Sequence, residues 1–257
     1  MIIHIAALTS AFAANDVSFS DFTGALHIGA HRCEEIWFYE QMGISRFDII
    51  WIEGNCDLVD EIIKDDFYDI SHVYHALIAD VDNIDISFNV GQMSTMSNIY
   101  GFNASLVPIE GYILPATIFV DSSNCRIDRS QNPHIDISYS EIIDPSYSDS
   151  YYVTHQPTYQ TITLDTFFAN NQLDVSKYNM WYLSIVSSDL LALKGATNSL
   201  KSAKAVFVRL YYSKDNTIEQ WGYNMDEMDE LMKNAGFTRI TISLLCGTHP
   251  DALYLRL

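Results

Sequence analysis

The chain has 257 residues, of which 48% are hydrophobic, 13% aromatic and 18% charged. This apolar content excludes intrinsic disorder, and the length suits one α/β domain with a sizeable core. Lys and Arg total 14 against 33 Asp and Glu, and this formal net charge of −19 argues against direct binding of nucleic acid or anionic membranes.

We expect the N-terminal 23 residues to form an arm or helix that packs on a domain spanning residues 24–257. This segment ends in small residues (AFAA, 11–14) but lacks the basic start of a secretory signal. No apolar run approaches the roughly 18 residues of a bilayer-spanning helix. The four cysteines are scattered without a CxxC pair, which indicates reduced thiols, a cytoplasmic location and no metal site.

Strands and helices alternate in the first half of the domain. GALHIGAH (24–31) predicts a buried strand that enters a tight turn, and CEEIWFYEQMGI (33–44) predicts a helix. FDIIWIEGN (47–55) predicts a second strand, DLVDEIIKDDF (57–67) a helix, and SHVYHALIADVDN (71–83) a third strand. This rhythm is typical of a doubly wound, mostly parallel sheet. A further strand and a polar loop are expected over residues 86–102.

The pattern breaks between residues 103 and 157, where Pro, Ser, Tyr and Asp accumulate. Because a structureless loop of this length is unusual inside a domain, we expect an insertion with its own short strands, acting as a lid or an association surface. A homo-oligomer through this insertion is one expectation. Its tyrosines favour packing or an interface over stacking on a sugar.

The second half returns to alternating elements. TITLDTFFANNQLDVSKY (161–178) predicts a strand, an Asp-capped helix and a turn, followed by a buried strand in NMWYLSIVSS (179–188). Helices are predicted over residues 189–200 and 225–237, and Gly236 is expected to end the second of them. Strands are predicted over residues 204–213, 238–245 and 251–257, the last two as an antiparallel closing pair.

Ligands of open parallel sheets bind beyond the carboxyl ends of the strands. The sequence places the turn from His27 to His31 there, with Gly29 and Ala30 small enough for close backbone approach. Backbone N–H groups of such a turn can hold a carboxylate or phosphate. Glu53, at the end of the second strand, suits the hydroxyls of a ribose, and Asp80 suits an adenine amine. This set favours a ligand that contains adenosine.

Several of these segments resemble the FkbM family of S-adenosylmethionine-dependent O-methyltransferases. The similar segments occur in the family's order: HIGAHRCEE, IIWIEGN, HALIADVDN, GQMSTMSNIYGF, TITLDTFFANNQLD, DLLALKGA and DALYLRL. The resemblance implies a class I methyltransferase fold with seven strands, helices on both faces and an antiparallel last hairpin. It also implies that residues 27–31 hold the methionine end of the cofactor, that Glu53 binds the ribose and that Asp80 lies near the adenine.

The positions where the resemblance implies chemistry have changed. Before LLALKGA, members of the family carry an Asp, then a Gln or Glu, then a Gly. The corresponding residues here are Ser184, Val186 and Ser187, so among these positions Asp189 alone keeps an acid. On the next strand the family's Glu-Val-Asn has become Arg209-Leu210-Tyr211. A hydroxyl acceptor needs a base or a metal, and neither Ser184 nor Val186 provides one. His31, His155 and Asp189 are possible replacement bases, and Arg209 is expected to pair with an acid such as Asp189.

Two functions remain open on this basis. The first is methyl transfer from S-adenosylmethionine to a hydroxyl of a sugar or glycan, weak or absent if the changed positions matter. The second is a methyltransferase-fold pseudoenzyme that serves in structure, assembly or binding.

Overall fold

A seven-stranded, mostly parallel sheet forms the centre of the computed structural model, which describes residues 5–64, 70–91, 153–185, 188–209, 225–243 and 251–257. The strands of the described chain are β1 (Ala25–Ile28), β2 (Ile49–Glu53), β3 (Val73–His75), β4 (Leu77–Ile78), β5 (Asp85–Ser87), β6 (Val90–Gly91), β7 (Val153–His155), β8 (Thr158–Ile162), β9 (Met180–Leu183), β10 (Ala205–Arg209), β11 (Thr238–Ser243) and β12 (Asp251–Leu255). The helices are α1 (Ile5–Ala13), α2 (Ile36–Gln41), α3 (Cys56–Lys64), α4 (Leu164–Asn170), α5 (Asp189–Lys194) and α6 (Met225–Asn234).

The order of the strands in the large sheet is β3-β2-β1-β9-β10-β12-β11. β1 lies parallel between β2 and β9, with Ala25 opposite both Ile49 and Met180. β12 runs antiparallel to both β10 and β11. The α/β class, the mostly parallel sheet and the antiparallel closing strands predicted from the sequence are therefore confirmed.

Both faces of the sheet are buried, as expected for parallel strands that form nearly continuous apolar runs. On one face Leu26, Ile28 and Ile52 belong to a core cluster with residues of α4, α5 and α6. On the other face Ala25 and Trp51 join a cluster with residues of α1, α2 and α3. The N-terminal helix thus packs on the domain as predicted, through Leu8 and Phe12.

The third predicted strand is divided between two sheets. β3 pairs with β2 in the large sheet, whereas β4 pairs with β8, which also pairs with β5. A third pairing joins β6 to β7, at the far end of the predicted insertion. The remainder of that insertion, residues 103–152, lies outside the described residues, and so does the polar loop predicted over 92–102.

Two predicted helix starts also differ from the structure. α2 begins at Ile36 instead of Cys33, because His31 and Cys33 adopt left-handed backbone angles, with φ of 45° and 57°. α4 is capped by Thr163, whose side chain accepts the N–H of Thr166, and not by an Asp. The predicted end of α6 is confirmed. Gly236 follows the helix with a φ of 87°, the left-handed conformation that favours glycine.

Candidate functional site

The turn after β1 approaches the end of β9 so closely that it requires glycine. Gly29 has a φ of 86°, and a Cβ placed on it would lie 2.2 Å from the carbonyl oxygen of Ser184. Ser184 in turn donates its N–H to the carbonyl of Ile28. The small residue therefore lets the β1 turn and the end of β9 touch, and the chain's own backbone fills the space beside it.

Every backbone N–H in the turn of residues 29–33 has an acceptor inside the chain. Gly29 and Ala30 both donate to the carbonyl of Ile52, at 2.8 and 3.0 Å. His31 donates to Glu53 and Arg32 to Glu34, while Cys33 donates back to Ala30. The sequence predicted that these N–H groups would hold a ligand's carboxylate or phosphate. In the structure an anion would have to displace internal partners, so the turn as it stands does not fit that group.

Glu53 lies at the end of β2, as predicted, and bridges two turns. Its Oε2 accepts the N–H of His31 and its Oε1 that of Asn55, each at 2.8 Å. The side chain is buried. Burial raises the pKa of Glu53, and the N–H groups of Asn55 and His31 oppose that rise. The carboxylate thus ties the β1 turn to the start of α3.

The two histidines of the predicted turn have different surroundings. His27 lies within β1 and is only 1% exposed, with Nδ1 2.8 Å from the Tyr39 hydroxyl. The side chain of His31 forms a hydrogen bond with the Glu34 carboxylate on the same turn. His27 therefore belongs to the core beneath the turn, and His31 to its outer surface. Assignment of His27, Gly29, Ala30, His31, Glu53 and Asp80 to a cofactor stays a prediction.

The two acids after the third predicted strand do not act together. Asp80 is exposed in the loop that follows β4. Asp82 accepts the N–H of Thr163 and the hydroxyl of Thr166 at the start of α4, and these bonds lower the pKa of Asp82. β4, the strand before Asp80, lies outside the large sheet, whose strands β1 and β2 lead to Gly29 and Glu53.

The changed positions of the second half gather around β9 and β10. Asp189 is fully buried at the start of α5 and accepts the N–H of Ile185 at 3.2 Å. Arg209 donates from Nη2 to the Tyr182 hydroxyl at 2.9 Å, with its guanidinium 6.0 Å from the centre of that ring. The tyrosine is a partner that the sequence did not indicate, and the pairing of Arg209 with an acid such as Asp189 stays a prediction. Val186, Ser187 and Tyr211 lie outside the described residues, and His155 lies on β7.

Two of the segments that resemble the family, TITLDTFF (161–168) and LLALKGA (190–196), form a joint between α4 and the exit of α5. The Asp165 carboxylate accepts the Thr197 and Ser199 hydroxyls and the N–H groups of Asn198 and Ser199. A Cβ on Gly195 would lie 2.2 Å from the carbonyl oxygen of Ala79. The bonds of Asp165 hold the start of α4 against the exit of α5, which is a structural reason for the spacing of these residues.

Comparisons with protein-family models, with curated proteins and with solved structures found no match to this chain. The resemblance to FkbM methyltransferases therefore rests on the residues quoted above.

Within the described ranges, no group of three or more His, Cys, Asp or Glu side chains is arranged to hold a metal ion. Nor does any helix in that part of the chain combine the length and apolar character needed to cross a bilayer.

Proposed function

We propose that this chain is a methyltransferase-fold protein of FkbM type that acts in binding or assembly and does not transfer methyl groups efficiently. The observation that carries the proposal is the internal bonding of the 29–33 turn. Each of its backbone N–H groups donates to an acceptor within the chain, and the Glu53 carboxylate accepts the N–H of His31. A cofactor that competes for these groups would lose internal hydrogen bonds on entry, each worth about 1 kcal/mol.

The sheet supports the part of this proposal that concerns the fold. It has seven strands, mostly parallel, with antiparallel closing strands and helices on both faces. These are the features that the resemblance to class I methyltransferases implies. A shared fold does not fix function, so the proposed role depends on the site.

The second half of the site supports the loss of transfer activity. A hydroxyl acceptor must give up a proton, which requires a base within hydrogen-bond reach. Asp189, the acid kept at these positions, is fully buried and holds the N–H of Ile185. Arg209 stands where the family has an acid, and it binds the Tyr182 hydroxyl.

A second candidate function is methyl transfer from S-adenosylmethionine to a sugar or glycan hydroxyl, and the position of Glu53 favours it. Glu53 ends a strand next to the Gly29 turn, where ribose-binding acids lie in dinucleotide-binding folds. Its carboxylate accepts the N–H groups of His31 and Asn55, and a carboxylate has about four acceptor sites in all. The cofactor would supply an activated methyl group, Glu53 would accept a ribose hydroxyl and Asp80 would lie near the adenine.

Calorimetric titration with S-adenosylmethionine and S-adenosylhomocysteine separates the two functions. We expect no binding tighter than millimolar for the full chain. Micromolar binding that weakens about tenfold or more in Glu53→Ala would overturn the proposal and support the second function. Asp60→Ala, which changes an exposed acid on α3 outside the turn, is the matched control and should leave any affinity unchanged.

The assembly role has its own test in the 103–157 insertion. We expect sedimentation velocity of the full chain to show concentration-dependent self-association. Replacing Tyr147, Tyr151 and Tyr152 by Ser should weaken it, because aromatic side chains supply much of the energy of protein interfaces. A chain that stays monomeric at high concentration would remove self-association from the proposal and direct attention to other partners.

A further inference from the structure

The connection between β4 and β5 presents two aliphatic side chains to solvent. Val81 is 51% exposed and Ile84 is 47% exposed, although most large apolar residues of the described chain are buried. One hydroxyl, that of Thr161 on β8, joins the two residues. Its Oγ1 donates to the carbonyl of Val81 at 2.6 Å and accepts the N–H of Ile84 at 3.1 Å. Both aliphatic residues therefore belong to one tight turn, the 81–84 turn.

Further hydrogen bonds fix the backbone of the 81–84 turn. Asn83, which has a left-handed φ of 61°, donates its N–H to the carbonyl of Thr161 at 2.8 Å. The Asp82 carboxylate accepts the N–H of Thr163, the residue that caps α4, at 2.6 Å. A surface that is already ordered loses little conformational entropy when a partner binds. Contact of its apolar side chains with water is unfavourable, so a partner that covers them gains free energy.

Acids flank the turn, and the neighbouring segments carry no Lys or Arg to balance them. Asp80 and Asp85 are exposed on either side of the turn. Residues 70–91 and 153–176, which include β4, β5 and β8, contain neither Lys nor Arg. This charge repels a second copy of the chain, whose formal net charge is −19, and it favours a partner that carries Lys or Arg.

We propose that the 81–84 turn is a docking surface for a basic amphipathic segment of a partner protein. Apolar side chains of that segment cover Val81 and Ile84, and Lys or Arg beside them face Asp80 and Asp85. An apolar centre with a polar rim is the usual composition of a protein interface. A free polyamine offers charge without an apolar face, and an anionic membrane is repelled by the acids. Such docking presupposes the proposed role in binding or assembly and adds the chemistry of the partner.

Fluorescence anisotropy with the full chain and a labelled amphipathic helical peptide of Leu and Lys tests this docking. We expect the double variant Val81→Ser/Ile84→Ser to bind about tenfold more weakly, because two aliphatic side chains are no longer covered. Ile63→Ser, which changes an isoleucine of α3 that is 63% exposed, is the matched control and should bind like the unchanged chain. A peptide of the same composition, with its leucines spread around the helix, should not distinguish the three proteins.

The double variant Asp80→Asn/Asp85→Asn tests the acidic rim and leaves the apolar side chains in place. It should bind the amphipathic peptide more weakly and with a smaller dependence on salt. Equal affinity of the unchanged chain and the Val81/Ile84 variant for that peptide would overturn the proposal. Self-association of the full chain that the Val81/Ile84 variant abolishes would also overturn it, because the occupant would then be a second copy. Neither outcome alters the expected titration with S-adenosylmethionine, so failure of docking is distinct from failure of the proposed function.

Discussion

Gly29 and Gly43 share a left-handed backbone, with φ of 86° and 85°, and differ in what surrounds them. A Cβ on Gly29 would meet the backbone of Ser184, whereas one on Gly43 would meet nothing within 4 Å. The pair therefore separates the effect of backbone conformation from that of close approach between β1 and β9.

We expect Gly29→Ala to lower the free energy of unfolding by about 2–5 kcal/mol. A left-handed alanine costs about 1–2 kcal/mol, and forcing two backbone segments apart adds about 1–3 kcal/mol. Gly43→Ala should show the first cost alone. Urea denaturation of both variants measures the difference, and equal losses would show that the contact with Ser184 contributes nothing to stability.

Some residues of the site could be predicted from the sequence and others could not. Gly29 and Glu53 follow buried apolar runs, so their place at the carboxyl edge of the sheet was predictable. The burial of His27 was not, because one polar residue in an apolar strand can lie at its end or in its core. Its partners Tyr39 and Tyr182 are aromatic residues within apolar segments, which predict packing without indicating a hydrogen bond.

At the scale of elements, the third predicted strand shows what a local pattern cannot reveal. The sequence predicts one strand over residues 71–83, yet β3 pairs with β2 while β4 pairs with β8, more than 80 residues later in the chain. Hydrophobic periodicity indicates that a segment is extended and buried, and it does not name the partner strand. The helix end at Gly236 was predictable because its signal is local.

The joint between α4 and the exit of α5 predicts a large effect of a single carboxylate. Asp165→Ala removes the acceptor of two hydroxyls and of the N–H groups of Asn198 and Ser199. We expect the free energy of unfolding to fall by about 2–4 kcal/mol, because the two partly buried donors of Ser199 are left without an acceptor. Urea denaturation followed by far-UV circular dichroism measures this loss.

Asp174→Ala is the matched control for that joint. Asp174 also accepts a backbone N–H and a hydroxyl, but both come from Ser176 two residues away. Its loss should affect only the local 3₁₀ turn Val175–Lys177 and cost clearly less. If both variants lose the same stability, Asp165 is an ordinary local cap and the joint does not hold the two helices together.

At the scale of the whole molecule, the excess of acids sets the response to salt. The 33 Asp and Glu exceed the 14 Lys and Arg by 19, and mutual repulsion of like charges opposes the compact state. Salt also weakens surface ion pairs, such as Lys194–Glu227 and Arg239–Asp229. Exposed pairs contribute about 0–1 kcal/mol each at most, so relief of the repulsion should exceed their loss.

We therefore expect the free energy of unfolding in urea to rise by on the order of 1 kcal/mol as NaCl increases from about 10 mM to about 100 mM, where the screening length falls from roughly 30 Å to roughly 10 Å. Lys194→Gln should increase this gain, because it removes a positive charge together with an ion pair that salt weakens. KCl should act like NaCl, whereas divalent cations are avoided because they bind carboxylates directly. A free energy of unfolding that falls with salt would mean that ion pairs dominate the electrostatics of the fold despite the net charge.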